Sequence, residues 1–151
     1  MMKVLIVEDD EPKLVQVLEF LESAYSDLLQ ITVSKSLNSA CRRIDADTFD
    51  VILLDMSIPT FDGGKTANAS GRQRTYGGKD FLMYMWEMEY EAPIIVITQF
   101  KDFPGEDGTV DLPQLHAQMR RDFPSLYVGH VYFEHNSDAW KRSLERLLKE
   151  C

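Results

Sequence analysis

Acidic residues follow two short apolar runs of this chain, at the point where each run ends. Glu8 and Asp9 follow the run 3–7, and Asp55 follows the run 51–54. Such short runs suit strands that are buried on both faces of a parallel sheet. Because the carboxyl ends of parallel strands meet at the ligand-binding edge of an open α/β sheet, we expect these carboxylates to lie together there. Asp55 is the candidate reacting group.

Carboxylates a few ångströms apart repel one another by about 1 to 4 kcal/mol per pair, depending on the local dielectric. This repulsion favours a bound divalent cation. Oxygen ligands with room for water suit Mg²⁺, which binds one or two carboxylates together with phosphate oxygens. A metal ion at this edge would neutralise a phosphoryl group arriving on Asp55.

The rest of the sequence predicts elements that would position these acids. Strands alternate with helices five times, which predicts a parallel sheet with helices on both faces. We expect a flavodoxin-like, doubly wound α/β fold of strand order 2-1-3-4-5, in which the first and third strands are neighbours. Pro12 suits the first turn of the first helix, which places Lys13 between its apolar positions. Ser36, Asp111 and Ser137 suit the N-caps of later helices. The predicted strands are 3–7, 30–34, 51–54, 93–98 and 126–133.

Two long segments are predicted to be loops, 60–78 and 99–110. The helix between them, 79–89, carries more apolar residues than one buried face requires. Its predicted core face is Phe81, Leu82, Met85 and Trp86, and its additional apolar residues are Met83, Tyr84 and Met88. The additional residues either pack under the loops or form a partner or homodimer surface.

Composition excludes several classes of protein. The 151 residues predict one domain, 1–151, without an output domain. A net charge of -9 argues against direct DNA binding. The sequence shows neither a membrane span nor an export signal, so we expect a cytoplasmic protein without a membrane partner. Cys41 and Cys151 have no metal or redox spacing, and His116, His130 and His135 are scattered without zinc-ligand spacing.

Three separated blocks of the sequence resemble the receiver domain of bacterial two-component response regulators. The blocks are 3–11, 50–59 and 93–98, and their intervals also fit that family. The resemblance implies that Asp55 accepts a phosphoryl group from a histidine kinase or a phosphotransfer protein. It further implies that Mg²⁺ is held by Asp9, by Glu8 through water, by Asp55 and by the backbone carbonyl of Ser57. Thr98 would supply the hydroxyl that moves onto the phosphoryl oxygens.

The chain also departs from the family. Receiver domains carry a lysine at the end of the last strand that pairs with the phosphoryl group, whereas residues 131–135 contain none. Gln99 replaces a residue that is usually small, which predicts restricted access to Asp55. A cation close to the predicted site could substitute for the missing lysine, and the candidates considered are Lys65, Arg72, Arg74 and Lys101.

Two functions remain open from the sequence. One is a stand-alone, phosphorylatable receiver that is not an enzyme and signals through an unidentified downstream protein. The other is a degenerate receiver that acts as a phosphorylation-independent interaction or oligomerisation module. An aspartate-nucleophile phosphatase ranks below both, because Ser57 stands where a general acid would follow Asp55. The Gly63–Thr66 segment lacks the first glycine of a P-loop and a following apolar helix, so a P-loop ranks lower still.

Overall fold

A computed structural model describes residues 1–62, 77–105 and 108–151. A parallel five-stranded sheet is covered by helices on both faces. The strands are β1 (Met2–Val7), β2 (Leu29–Ser34), β3 (Val51–Leu54), β4 (Ile94–Thr98), β5 (Asp102–Gly105), β6 (Gly108–Asp111) and β7 (Tyr127–Tyr132). The helices are α1 (Glu11–Tyr25), α2 (Leu37–Ala46), α3 (Gly77–Glu87), α4 (Leu112–Asp122) and α5 (Ala139–Leu148), with a short 3₁₀ turn at Ser26–Leu28.

The sheet has the order β2-β1-β3-β4-β7, which confirms the predicted flavodoxin-like topology, since β7 is its fifth strand along the chain. Val7 of β1 is paired with Leu54 of β3, so both strands end at the same level. The order reverses between β1 and β3, and in open α/β sheets the ligand crevice lies outside the strand ends at this point. The acids that follow β1 and β3 therefore border that crevice.

Both faces of the sheet are buried. Leu5, Ile52 and Val96 point into one apolar core, with α2, α3 and α4, whereas Ile6 and Leu53 point into a second core, with α1 and α5. This two-sided burial explains why β3 is a continuous apolar run rather than an alternating one. No helix among the described residues is long and apolar enough to cross a membrane.

The segment 99–110, predicted to be a loop, instead contains an antiparallel hairpin formed by β5 and β6. Phe103 anchors this hairpin, because its side chain is buried in the core while the other residues of β5 are exposed. Pro104 and Gly105 disfavour a strand locally, and burial of Phe103 outweighs that preference. The hairpin leads directly into α4, whose N-cap is Asp111, as predicted.

Helix α3 differs from its prediction at both ends. It begins at Gly77 rather than at residue 79, so two glycines assigned to the loop are helical; residues 63–76 of that predicted loop lie outside the described residues. Phe81, Leu82 and Met85 form its core face, as predicted. Trp86 was assigned to that face wrongly, since it is 49% exposed and contacts Phe123 only by an edge-to-face arrangement.

The N-caps of α2 and α5 were also predicted from the sequence. Ser36 caps α2 as predicted, its hydroxyl oxygen accepting a hydrogen bond from the amide of Ser39 at 3.1 Å. The prediction for Ser137 was wrong by one residue, because the N-cap of α5 is Asp138. The hydroxyl of Ser137 nevertheless accepts a hydrogen bond from the amide of Ala139 at 3.1 Å, which supports the same helix start.

Two of the three histidines are not scattered in space. The Nδ1 atoms of His116 on α4 and His130 on β7 lie 3.1 Å apart, and Tyr127 contacts His116 Nδ1 through its hydroxyl at 2.7 Å. Burial lowers the pKa of both histidines, and nearby Arg120 lowers that of His116 further. The pair is therefore a hydrogen-bonded contact between α4 and β7, and burial disfavours its charged form.

Gly77 and Gly78 allow α3 to start directly against the segment that follows β3. The amide of Gly78 donates to the carbonyl oxygen of Met56 at 3.1 Å, and that of Gly77 donates to the carbonyl oxygen of Ile58 at 3.2 Å. A Cβ atom on Gly78 would lie 2.5 Å from the Cα atom of Met56 and 2.8 Å from the backbone oxygen of Asp55. Both neighbours are backbone atoms, so the helix would have to move.

We predict that Gly78→Ala lowers the free energy of unfolding by about 1–3 kcal/mol, because overpacking outweighs the better helix propensity of alanine. Urea unfolding measures the change. Met83→Ala on the same helix is the control, and we expect a change within about 0.5 kcal/mol since Met83 is exposed. A Gly78→Ala protein as stable as the wild type would contradict the close approach.

Candidate functional site

The strand ends bring three carboxylates together. Asp55 is fixed beside β1 by its own amide, which donates to the carbonyl oxygen of Val7 at 2.9 Å. Glu8 and Asp9 follow β1, and one carboxylate oxygen from each of the three acids lies within 4.8 Å of the others. The predicted clustering of these acids is confirmed. Three oxygen donors at this spacing could hold a metal ion.

The three acids differ in their access to solvent. Glu8 and Asp55 are only 4% and 5% exposed, whereas Asp9 is exposed. The amide of Ser57 donates to Asp55 Oδ1 at 3.3 Å, and the amide of Asp10 donates to Glu8 Oε2 at 3.1 Å. The backbone thus orients two buried carboxylates, while Asp9 leaves one side of the cluster open to water.

Lys13 lies inside this cluster. Its ammonium nitrogen is 2.6 Å from Glu8 Oε1 and 3.5 Å from Asp55 Oδ1, and it donates to the carbonyl oxygen of Ile97 at 2.7 Å. The side chain is 1% exposed, so its assignment to the polar side of α1 was wrong. Since α1 begins right after the acids of β1, the polar side of its first turn meets the carboxylates instead of solvent.

Burial raises the pKa of Glu8 from 4.5 to about 8, against the opposing effect of the Lys13 ammonium, and the charge of Asp55 raises it further. Partial burial of its carboxyl group also raises the pKa of Asp9, although the residue as a whole is exposed, and the charge of Asp55 acts in the same direction. Carboxylates are thus crowded where water solvates them poorly. A divalent cation would relieve this cost, because its charge favours the ionised form of each ligand.

Thr98 lies at the end of β4, the strand next to β3. Its side chain is fully buried, and its hydroxyl oxygen accepts a hydrogen bond from the amide of Phe100 at 3.1 Å. Its carbonyl oxygen accepts from the amide of Phe133 at 2.7 Å, which ties the ends of β4 and β7 together. Gln99 is half-buried beside it. The hydroxyl is therefore on the predicted edge of the sheet.

Of the four cations considered as substitutes for the missing lysine, the structure describes one, Lys101. Lys65, Arg72 and Arg74 lie outside the described residues. Lys101 is exposed, and its ammonium nitrogen lies 5.2 Å from the centre of the Tyr132 ring, in a cation–π contact. Lys13, which lies 3.5 Å from Asp55, was not among the residues predicted for the site. A local signal did exist, because Lys13 stands one helical turn after Asp9, where the first turn of a helix can face the preceding strand end.

The buried contacts of Lys13 predict a large effect on stability. Lys13→Ala would leave Glu8 and Asp55 buried without their cation, and we expect a loss of about 3–5 kcal/mol in the free energy of unfolding. Lys35→Ala is the control, because Lys35 pairs with Glu11 on the surface and should contribute at most about 1 kcal/mol. Urea unfolding of both variants measures the difference. Equal losses would contradict the buried ion pair.

Comparisons with known proteins find relatives that match almost the whole chain. No family model matches the sequence. The chain is 29% identical over 155 residues to the Detocs response regulatory protein DtcB of Enterobacter cloacae (strain JD6301), and the match covers 99% of each protein. The similarity thus extends along the whole chain.

Solved structures show the same fold. A CheY-like response regulator receiver domain protein from Methanospirillum hungatei JF-1 matches with a TM-score of 0.64 and 15% identity, over 99% of this chain and 92% of that one. The receiver domain of a sensor histidine kinase from Pseudomonas aeruginosa PAO1, solved with magnesium in its active site cleft, matches with a TM-score of 0.58 and 17% identity, over 99% and 95%. The chain therefore has the fold of a response-regulator receiver domain and resembles a response regulatory protein along its whole length.

Proposed function

We propose that this protein is a receiver that accepts a phosphoryl group on Asp55 and signals by changing the protein it binds. The observation that carries the proposal is the joint placement of Asp55 with Glu8 and Asp9 at the switch point of the sheet. The cluster supplies a carboxylate that can act as the nucleophile and further oxygen donors that can hold a divalent cation beside it. The donor class is a histidine kinase or a phosphotransfer protein.

The residues present fit Mg²⁺. All three side-chain donors are oxygens, and the exposure of Asp9 leaves room for the water molecules that Mg²⁺ retains. Asp9 and Asp55 would hold the ion, with Glu8 acting through water and Ser57 through its backbone carbonyl. When bound, the ion supplies positive charge next to the transferred phosphoryl group.

The chain's own residues would prepare the transfer. The amide of Ser57 holds the carboxylate of Asp55 in place, 3.3 Å from Oδ1. A carboxylate oxygen of Asp55 attacks the phosphorus atom of the donor, a new P–O bond forms, and the bond from phosphorus to the leaving group breaks with its electron pair. When the donor is a phosphohistidine, the leaving group is its imidazole. The reaction needs no general acid from this chain when a proton from water reaches the leaving group.

A signal would then pass through β4. An aspartyl phosphate adds about one to two negative charges and new acceptor oxygens. The hydroxyl of Thr98, at the end of β4, is the group proposed to move onto those oxygens. It would give up the hydrogen bond that it accepts from the amide of Phe100. Phe100 leads into the β5–β6 hairpin, so that hairpin and α4 are the elements whose position would change. This surface is proposed to contact the downstream protein.

We predict that acetyl phosphate with Mg²⁺ adds the mass of one phosphoryl group to the wild type and none to Asp55→Asn, because the amide is not a nucleophile. Intact-protein mass spectrometry measures the product. Asp122→Asn is a matched control on α4, where the carboxylate pairs with Arg121 at the surface. That variant should be modified like the wild type.

The metal requirement has a separate readout. Asp9→Asn should weaken Mg²⁺ binding by about tenfold or more, which is at least about 1.4 kcal/mol of binding free energy. Isothermal titration measures this affinity without phosphorylation.

In the acetyl phosphate experiment, an unmodified wild type at saturating Mg²⁺, or equal modification of Asp55→Asn, would contradict the proposed phosphoacceptor.

A further inference from the structure

Lys13 is a buried cation beside the proposed phosphoacceptor, Asp55. Its ammonium touches residues from three strand ends: Glu8 after β1, Asp55 after β3, and Ile97 of β4. We propose that Lys13 is the cation that pairs with the phosphoryl group on Asp55, in place of the lysine that receiver domains carry after the last strand. This inference rests on the proposed phosphorylation of Asp55.

The end of β7 offers no cation for this role. Phe133 is buried in the core against Trp140, and Glu134 and His135, which follow it, are exposed. His135 Nδ1 instead lies 3.0 Å from the side-chain amide of Gln16 on α1. Among the residues that the structure describes, Lys13 is the cation within 4.0 Å of Asp55. Lys13 of α1 can therefore supply the positive charge that the end of β7 does not supply.

The contacts of Lys13 leave one proton for a new acceptor. An ammonium group has three N–H donors. Glu8 Oε1 at 2.6 Å and the carbonyl oxygen of Ile97 at 2.7 Å are at hydrogen-bonding distances, whereas Asp55 Oδ1 at 3.5 Å is too far for a good hydrogen bond. These two acceptors use two of the three N–H donors, and Asp55 Oδ1 is a further acceptor 3.5 Å from the same nitrogen. A phosphoryl oxygen on Asp55 would provide an acceptor with more negative charge there.

The charges also allow Lys13 and a metal ion to act together. When ionised, the carboxylates of Glu8, Asp9 and Asp55 together with the Lys13 ammonium carry a net charge of about -2, which one divalent cation balances. A phosphoryl group then adds about one to two further negative charges. Lys13 stays beside them because Glu8 and Ile97 hold its ammonium in position.

Beryllofluoride binding in saturating Mg²⁺ tests this pairing, because beryllofluoride on a carboxylate mimics the phosphoryl group. We expect Lys13→Met to weaken beryllofluoride binding by about tenfold or more. Mg²⁺ affinity in the same variant should stay equal or increase, because the ammonium no longer competes for Glu8. Lys101→Met is the control, since its ammonium lies over Tyr132, and it should bind like the wild type.

A direct readout separates a contact from a structural role. In ¹⁹F spectra of the bound beryllofluoride, a fluorine beside the exchangeable protons of Lys13 should shift between H₂O and D₂O. That isotope shift should be present in the wild type and in Lys101→Met, and smaller in Lys13→Met. If Lys13→Met fails to fold, Glu8→Gln/Lys13→Met removes both buried charges, and its affinity and isotope shift are compared with those of Glu8→Gln alone.

The outcomes separate the proposed role of Lys13 from the proposed phosphorylation of Asp55. Beryllofluoride binding that is unchanged by loss of Lys13, in the single or the double variant, overturns the role of Lys13 and leaves Asp55 as the acceptor. Weaker binding with a retained isotope shift also overturns it, because the protons near the fluorine would then belong to another group. A wild type that binds Mg²⁺ but neither beryllofluoride nor a phosphoryl group overturns the proposed function and this inference together.

Discussion

The burial of two carboxylates and one ammonium at a single sheet edge is the constraint on which the rest of the site depends. Glu8 and Asp55 are almost fully buried, and Lys13 is less exposed than either. Removing charged groups from water costs several kcal/mol per ion unless close partners compensate. The first turn of α1 compensates part of that cost, since it carries Lys13 onto Glu8 at 2.6 Å.

The same contacts explain how three acids can lie together at one sheet edge. The Lys13 ammonium balances part of the negative charge, and backbone amides of Asp10 and Ser57 orient the buried carboxylates. Asp9, which is exposed, completes the cluster from the solvent side. A cation that entered would meet preorganised oxygen donors, and its charge would stabilise the ionised carboxylates that burial disfavours.

The connection from the site to the surface follows from the same packing. Lys13 binds the carbonyl oxygen of Ile97, and the next residue, Thr98, is the proposed switch hydroxyl. Beyond it, Phe103 anchors a hairpin in the core, and the hairpin runs into α4. Changes at Asp55 therefore have a short route through β4 to the hairpin. Exposed Trp86 lies on α3 and packs its ring edge against Phe123, just after α4.

Much of the fold could be predicted from the sequence. Continuous apolar runs predicted strands buried on both faces, and the alternation of strands with helices predicted their parallel order. The acids after two of those runs predicted the cluster, because strand ends in such a sheet converge on one edge. The hairpin was missed, since its strands are four residues each and depend on the burial of one side chain, Phe103.

The sequence by itself therefore determined the parallel sheet and the positions of Glu8, Asp9 and Asp55 at its strand ends, because those features follow from local periodicity and the geometry of parallel strands. Only the tertiary structure decided that Lys13 is buried among them and that His116 contacts His130. Helical spacing shows which residues share a face of α1. What that face meets depends on packing between segments far apart in the chain, and there a charged residue is buried when its partners are buried with it.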